Sequence, residues 1–330
     1  MSYIQTVLGP IEPDKLGFTL PHEHIICDYL LCRSRANRKK PQWGTYMWFD
    51  DTEVMTEELK IYREDGGGAI VDVTCHGWGR DPVALRQISK ESQVHIVACT
   101  GFYVENCMPD WVKYKTVDQL AGWIEREILT GCNARQSEEV TDIKAGIIKT
   151  SVSRSTYSHL ELKGLKAVAK AHLRTGMPIT SHNSGSIRYE VEGGNIGTEL
   201  LEFFEEEGID LESVIIGHTD ENPDIRNLVS LAKKGAWIQF DTIGKENYIL
   251  DETRVDLVLA FKNRGLLDQL LLSQDRNRKP MLRQYGGPGY SDVINRFNPM
   301  LKRIGLSREE ITKITHDNPA KALRRRAYAQ

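Results

Sequence analysis

The chain has 330 residues, of which 40% are hydrophobic and 27% charged, and its formal net charge is −3. This composition is typical of a globular protein and provides no basic surface for nucleic acid or an anionic membrane. No apolar run approaches the ~20 residues of a membrane span, and the first ten residues do not resemble a signal peptide, so we expect a cytoplasmic protein.

The six cysteines, at positions 27, 32, 75, 99, 107 and 132, include no Cys-x-x-Cys pair. A large chain without a secretion signal usually keeps its cysteines reduced. We therefore expect free, buried thiols rather than disulfides.

The chain begins with a predicted hairpin over residues 3–20, with a turn at Gly9-Pro10. Residues 32–56 predict a long irregular segment in which basic residues precede aromatic ones. Basic residues beside aromatics can bind nucleic acid. Because the rest of the chain supplies no basic face, we expect a solvated loop whose aromatics fold over the core or the site.

Eight short apolar runs alternate with amphipathic helical segments along the chain. The runs are Leu16–Leu20, Ala69–Thr74, Val94–Thr100, Ala145–Lys149, Pro178–His182, Val214–His218, Ala236–Asp241 and Leu270–Ser273. The helical segments between them end at glycines such as Gly176, Gly208, Gly235 and Gly265, and the last long helix has a capping box at Ser307–Glu310 and a break at Asn318-Pro319. Eight such units predict an α/β fold, a closed (β/α)8 barrel with a short N-terminal hairpin, as one domain over residues 1–330.

The carboxyl ends of these runs carry ligand-type residues. His22 and His24 point to the same side of an extended chain, because a strand has period two. The alternative to a pair of metal ligands is that His22 and His24 are two unrelated surface histidines at a turn. His182, His218 and Asp275 follow later strands. Since the carboxyl ends of barrel strands face one site, the pattern predicts a centre for two metal ions.

Lys149 is the unusual member of the set, because an ammonium group repels cations. Burial next to metal ions would lower its pKa towards the neutral amine. A neutral amine can add carbon dioxide to give a carbamate, whose two oxygens can bridge two metals. The alternative is a lysine paired with a carboxylate such as Asp275, and the residues alone leave both open.

At these residues the sequence resembles the phosphotriesterase family of the amidohydrolase superfamily, in its lactonase and esterase branch. The matching segments are Gly17–His24, Gly79–Asp81, Thr100-Gly101, Gly146–Lys149, Ser181-His182, Ile216–Asp220 and Asn318–Ala320. The resemblance implies a binuclear centre, usually of zinc, with manganese or cobalt as alternatives. His22, His24 and Asp275 would hold the buried metal, His182 and His218 the exposed one, and carboxylated Lys149 would bridge them.

The resemblance also implies a mechanism, and this chain departs from the family pattern at one position. A hydroxide bridging the metals would attack the substrate, and Asp275 would take or pass the proton. The phosphotriesterases proper have a histidine after the aspartate of strand seven, where this chain has Thr242, so the proton relay is lost or rebuilt through Asp220 or Glu221. Tyr103 matches a tyrosine that lactonase members place over the metals; ordinary aromatic packing is its alternative.

The expected activity is hydrolysis of carboxylic esters and lactones, with weak hydrolysis of organophosphorus esters. Lys245 and Arg276 follow strands seven and eight, where a substrate tail would lie, so they are candidate substrate-binding residues; solvated loop charges are the alternative. An anionic group such as that of a phosphorylated sugar lactone is an alternative to a neutral substrate. A phosphotriesterase proper and a non-catalytic metal-bound barrel are further alternatives. We expect a small-molecule partner, no nucleic acid and no membrane, and the sequence leaves open whether the protein is a homodimer.

Overall fold

A computed structural model describes residues 2–35, 46–153, 157–183 and 196–326 of the chain. Eight parallel strands, numbered here β1 to β8, form one sheet in sequential order. They are β1 Phe18–Glu23, β2 Gly67–Asp72, β3 His95–Gly101, β4 Ile147–Val152, β5 Ile179–Asn183, β6 Val214–Ile216, β7 Trp237–Phe240 and β8 Leu270–Leu272. The predicted (β/α)8 barrel is confirmed.

One helix follows each of the first seven strands and packs outside the sheet. These are α1 Thr52–Glu64, α2 Pro82–Ser92, α3 Val117–Leu129, α4 His159–Thr175, α5 Ile196–Glu206, α6 Ile225–Lys233 and α7 Asp251–Lys262. Shorter helical segments follow at Val293–Phe297, Asn298–Arg303, Arg308–Thr312, Lys313–Asp317 and Asn318–Ala322, and helix Tyr29–Arg35 precedes α1. The predicted N-terminal hairpin is present and pairs Ile4–Thr6 with Gly9–Ile11, but its turn lies at Val7-Leu8, because the predicted turn residues Gly9-Pro10 are paired in its second strand.

Local chemistry fixes where the helices begin and end. Ser158 caps α4 with a full capping box, and Gly176 ends the helix in the left-handed conformation with φ +68°. Asp81 caps α2 through two backbone N–H groups, and Pro82 occupies the first turn, where no N–H is needed. These signals place the loop between each strand and the next helix at one end of the barrel.

The seam between β1 and β8 is closed by a side chain. The hydroxyl of Ser273 accepts from the backbone N–H of His22 at 3.1 Å and lies 2.9 Å from the His22 carbonyl oxygen. The N–H of Asp275 also donates to that carbonyl at 3.2 Å. The first and last strands are therefore held together beside the residues predicted to bind metal.

Predictions of local structure were wrong before α1 and in β4, in the pairing of the cysteines and at the C-terminus. Residues 32–56 are not irregular throughout, because helix Tyr29–Arg35 extends into them, Trp48–Phe49 pairs with Cys27–Asp28, and α1 begins at Thr52. Residues 36–45 lie outside the described part of the chain. Strand β4 continues to Val152, so that Lys149 lies inside the strand rather than at its end.

Cysteine pairing also differs from the prediction. Cys32 and Cys107 form a disulfide between helix Tyr29–Arg35 and the loop after β3, whereas Cys27, Cys75, Cys99 and Cys132 are free and buried. The two bonded residues are 75 positions apart, and their Cα atoms lie 4.2 Å apart only because two loops meet above the barrel. The spacing in the sequence carries no sign of this proximity.

A further difference is at the C-terminus. The capping box at Ser307 is present, but Asn318-Pro319 does not end the helical path. A wide π-turn over Lys313–Asp317 precedes Pro319 and leads directly into the last short helix. Pro319 is tolerated because it lies in the first turn of this last helix, where its missing N–H breaks no regular helical hydrogen bond.

In the described part of the chain, no helix is both long and apolar enough to cross a lipid bilayer.

Candidate metal centre

The six predicted ligand residues lie together at the carboxyl end of the barrel. His22 is in β1, Lys149 in β4 and His182 in β5. His218 and Asp275 follow β6 and β8 and have positive φ angles of 56° and 47°. Such angles are uncommon outside glycine and often occur at functional sites. Here they turn both side chains back towards the barrel axis.

Three of these residues form the first group. The carboxylate Oδ1 of Asp275 lies 3.1 Å from His24 Nε2 and 3.9 Å from His22 Nε2. One ligand atom from each of the three residues fits within 4.8 Å of the others, and all three residues are buried. Lys149 Nζ lies 3.4 Å from His22 Nε2 and also 3.4 Å from the carbonyl oxygen of Ser181. Two imidazoles and a carboxylate in this arrangement are a donor set suited to zinc.

The second group consists of two histidines. His218 Nε2 lies 2.6 Å from His182 Nδ1. The His22 and His218 rings are 4.9 Å apart between centroids, so the second group adjoins the first. Lys149 Nζ borders the first group, 3.4 Å from His22 Nε2.

Groups behind the ligands fix the orientation of the rings. His24 Nδ1 lies 2.8 Å from the hydroxyl of Thr74. Asp241 at the end of β7 lies 2.7 Å from His22 Nδ1 through Oδ2 and 2.8 Å from His218 Nδ1 through Oδ1. Metal-binding histidines usually have such a partner on the second ring nitrogen.

Burial and neighbouring charges set the protonation of the site. Burial, with a contribution from Lys149, lowers the pKa of His22 to about 4. Burial also lowers the pKa of Lys149 and of His182. For His218, the Asp241 carboxylate outweighs burial and raises the pKa to about 9. The site therefore favours neutral His22, His182 and Lys149, the forms that can bind metal or carbon dioxide.

Lys245 is the nearest buried cation to the predicted metal ligands. Its ammonium donates to Asp275 Oδ2, while Asp275 Oδ1 faces the histidines. Burial opposes ionisation of Asp275, but Lys245 and the histidines outweigh it and hold the pKa of that carboxyl well below its usual range. Asp275 is thus ionised. One of its oxygens faces the histidine ligands, and the other binds Lys245 in the loop after β7.

An aromatic wall stands beside the first group. The Trp78 ring lies 4.2 Å from the His24 ring and stacks on Tyr103 at 4.9 Å. The Tyr103 hydroxyl lies 3.2 Å from His182 Nε2. Tyr103 is half-buried and Trp78 is fully buried. The structure therefore brings Tyr103 to the site, next to a ligand of the second group.

The guanidinium of Arg276 binds residues other than the predicted metal ligands. That group is buried and donates to Asp292 Oδ2 at 2.7 Å and to the Gly289 carbonyl at 3.2 Å. Arg278, two residues on, is half-buried and donates to the Tyr248 hydroxyl at 3.0 Å. Lys245 Nζ lies 5.7 Å from the centre of the Tyr248 ring. Arg278 and Lys245 thus both approach the side chain of Tyr248.

The surroundings of Thr242 form a closed network. Its hydroxyl donates to Asp220 Oδ2 at 2.6 Å, and Arg254 donates both to that oxygen at 2.6 Å and to the Thr242 hydroxyl at 2.7 Å. Asp220 is fully buried. Arg254 and Thr242 bind Oδ2 of Asp220 and the backbone N–H of Asp241 donates to Oδ1, so Asp220 serves the packing of the loops after β6 and β7. Glu221 is half-buried, and burial raises its pKa to about 6.

Sequence reasoning missed the groups behind the ligands. Asp241 ends an apolar run, the same signal that identified His182 and His218, and could have been found on that basis. Thr74 also ends an apolar run, but a threonine there is common in strands and carries no signal of its own. Trp78 adjoins the Gly79–Asp81 motif without any pattern that indicates contact with His24.

The chain is similar to hydrolases over nearly its full length. The family model for the phosphotriesterase family matches residues 2–323. The phosphotriesterase homology protein of Escherichia coli (strain K12) is 31% identical over 308 residues, covering 93% of this chain and 98% of that protein. The N-acetyltaurine hydrolase of Salmo salar is 30% identical over an alignment of 354 residues, covering 97% of both.

Solved structures agree with the sequence comparisons. The lactonase from Listeria monocytogenes superposes with a TM-score of 0.85 at 29% identity, covering 98% of this chain and 100% of that one. The E. coli homology protein, solved with phosphate in its active site, superposes with a TM-score of 0.83 at 31% identity, covering 94% of this chain and 99% of that one.

Proposed function

The chain belongs to the phosphotriesterase family, and from this premise we propose that it is a metal-dependent hydrolase of carboxylic esters, lactones included. The observation that carries the proposal is the convergence of ligand atoms from five strands. His22, His24 and Asp275 offer three within 4.8 Å of one another. Histidine pairs and a buried carboxylate at the carboxyl end of a barrel are a known basis for metal-assisted hydrolysis.

The donor set fits two divalent ions. His22, His24 and Asp275 would hold one, His182 and His218 the other, and Lys149 would bridge them after carboxylation. Its lowered pKa, caused by burial, favours the neutral amine that this reaction with carbon dioxide requires. When bound, two such ions supply hydroxide near neutral pH and polarise a carbonyl oxygen.

The chain's own residues then have separate tasks. Asp275 is ionised and borders both the ligand groups and Lys245, so it can accept the proton released at the reacting centre. Tyr103, held by stacking on Trp78, presents its hydroxyl beside His182 and can orient a carbonyl there. The buried Trp78 ring keeps water from the back of His24.

Turnover of an aryl acetate and of a simple lactone tests this function. Protein loaded with zinc should hydrolyse at least one of them, and a chelated sample should lose the rate and regain it with added metal. A metal-independent rate, or none on any ester or lactone, contradicts the proposal and favours the non-catalytic metal-bound barrel. A rate on organophosphorus esters exceeding that on lactones would favour a phosphotriesterase proper, which Thr242 argues against.

A second candidate concerns an anionic substrate, such as a phosphorylated sugar lactone or an N-acyl amino sulfonate. The observation that favours it is the pair of cations around Tyr248, namely Lys245 and Arg278. Relatives named N-acetyltaurine hydrolases and a relative solved with phosphate in its active site also support an anionic substrate. An N-acyl substrate would require cleavage of an amide rather than an ester.

Comparing neutral and anionic substrates separates the two candidates. For an anionic substrate, Arg278→Gln should raise KM about tenfold, because a charge-assisted hydrogen bond is lost. The variant should leave KM for a neutral lactone unchanged. The matched control is Arg283→Gln, whose side chain is 41% exposed and pairs with Asp65. Equal effects of Arg278→Gln on both substrate classes would count against an anionic substrate.

A further inference from the structure

One carboxylate stands behind a ligand of each predicted metal. Asp241 is fully buried at the end of β7. Its Oδ2 lies 2.7 Å from Nδ1 of His22, which belongs to the first ligand group, and its Oδ1 lies 2.8 Å from Nδ1 of His218, which belongs to the second. The backbone N–H of His218 donates to the same Oδ1 at 2.9 Å.

The surroundings of Oδ2 decide the tautomer of His22. This oxygen is buried and accepts no other hydrogen bond from the described part of the chain. The other acceptor near His22 Nδ1 is Gln239 Oε1, at the longer distance of 3.4 Å. Both oxygens near Nδ1 are acceptors, and a buried carboxylate oxygen without a donor is costly, so the proton of the His22 ring belongs on Nδ1.

His218 Nδ1 lies 2.8 Å from Oδ1, and because a carboxylate oxygen only accepts hydrogen bonds, this nitrogen also carries a proton. With metal bound, both rings would present the lone pair of Nε2 to the centre. His22 Nε2 points towards Lys149 at 3.4 Å, and His218 Nε2 points towards His182 at 2.6 Å. A single carboxylate thus selects the ligand nitrogen in both groups.

We propose that Asp241 is a positioning residue that couples the two metal sites, so that its loss weakens both together. The inference rests on the proposed function, because it concerns the same pair of metals. Among the residues that the structure describes, Thr74 contacts His24 and Tyr103 contacts His182, and neither partner is shared between the two groups. Each of these contacts serves a ligand of one metal only.

Zinc titration against a chromophoric chelator tests the coupling. Asp241→Asn keeps the size of the side chain but leaves one oxygen acceptor for two ring donors. We expect the affinity for both zinc equivalents to fall by about 10–100-fold, the usual effect of removing such a partner. The matched variant is Thr74→Val, which removes the partner of His24 alone and should weaken one equivalent. A loss confined to one equivalent in Asp241→Asn, or equal losses of both in Thr74→Val, would overturn the coupling.

The wild-type protein gives a second measurement if Asp241→Asn does not fold. Long-range proton–nitrogen correlation spectra of the zinc-loaded protein should show His22 and His218 both protonated on Nδ1. Protonation of either ring on Nε2 would overturn the inference. So would a third zinc equivalent in the wild type, since His22, His218 and Asp241 would then bind a metal themselves.

The two proposals fail in different ways. If the wild type binds no zinc, both the metal-dependent hydrolase and the coupling are wrong. If the wild type binds two equivalents and hydrolyses a lactone while Asp241→Asn loses only one equivalent, the hydrolase stands and the coupling alone is wrong.

Discussion

The side chain of Lys149 is buried among His22, Ser181 and the thiols of Cys75 and Cys99. We predict that Lys149→Ala removes most of the bound metal and the hydrolytic activity, because the proposed bridge between the ions is lost. Metal content by elemental analysis and turnover of an ester check this prediction.

Rescue provides the control for the lysine variant. Added acetate or propionate should restore part of the metal and of the rate, since a small carboxylate can occupy the space of the carbamate. The matched variant is Lys245→Ala, which removes a different buried cation and should not respond to added carboxylate. Unchanged metal content in Lys149→Ala would refute the bridge.

Asp275 has a left-handed backbone with φ 47°. Asparagine tolerates this conformation, so Asp275→Asn tests the carboxylate with little added strain. We predict a fall in kcat of about 10²–10⁴-fold from loss of proton transfer, against a loss of about 1–3 kcal/mol in the free energy of unfolding from poorer pairing with Lys245. Steady-state kinetics and urea denaturation measure both. If kcat fell only in proportion to the folded fraction, Asp275 would be structural.

Single ligands were predictable from the sequence, and their partners were not. His182 and His218 each end a run of apolar residues, so position in the strand was enough to identify them. The contact of Trp78 with His24 and the pairing of Lys245 with Asp275 depend on loops that meet only in the folded chain. Nothing in their local sequence indicates which residues they contact.

The loop after β2 is joined to α3 by a buried ion pair. Arg80 binds both carboxylate oxygens of Glu127, at 2.6 and 2.7 Å, and donates to the Cys99 carbonyl. We predict that Arg80→Met lowers the free energy of unfolding by about 3–5 kcal/mol, because Glu127 is left charged and buried. Chemical denaturation measures this loss.

Arg86→Met is the matched control for Arg80→Met. Arg86 also pairs with a carboxylate, Asp142, but that carboxylate is 80% exposed. Water can replace the lost partner, so stability should stay nearly unchanged. A similar loss in both variants would mean that the burial of Glu127 does not determine the cost.

Elements were predicted well where an end signal lies in the sequence. Gly176 and the Ser307 capping box mark helix ends through backbone geometry that few other residues provide. Strand β4 was predicted too short because Thr150 and Ser151 are polar, yet both are buried in the sheet. Pairing with β5 overrides their composition there, and no signal within one strand carries that information.

The seam of the barrel depends on the Ser273 hydroxyl. We predict that Ser273→Ala costs about 1–3 kcal/mol of unfolding free energy, because the N–H of His22 loses its acceptor. Hydrogen exchange of β1 amides should also become faster than that of β4 amides. The matched control is Ser213→Ala, since the Ser213 hydroxyl is buried and has no hydrogen-bond partner among the described residues, so its loss should be close to neutral. A neutral Ser273→Ala would place the closure of the seam elsewhere.

Stability of the whole molecule should fall in mild acid partly through His172. Burial lowers the pKa of this histidine below 6.5, although its contact with the Met177 carbonyl opposes the shift. As pH falls, His172 therefore binds a proton in the unfolded chain before it does so in the folded chain. Its contribution to the free energy of unfolding is complete above pH 6.5 and is lost as pH falls from 6.5 to the lower pKa of the folded state. We predict a weaker pH dependence for His172→Gln in urea denaturation between about pH 5 and 7.5. An unchanged slope would contradict the prediction.

The contact between β1 and β8 has a consequence for biosynthesis. The ribosome makes His22 early in translation and Asp275 late, yet their ligand atoms belong to one group. A nascent chain that has not yet released β8 from the ribosome carries His22 and His24 without their carboxylate. Under the proposed function, we therefore expect metal to bind at this group only after β8 has joined the sheet, so that a bound ion would mark a barrel whose first and last strands have met.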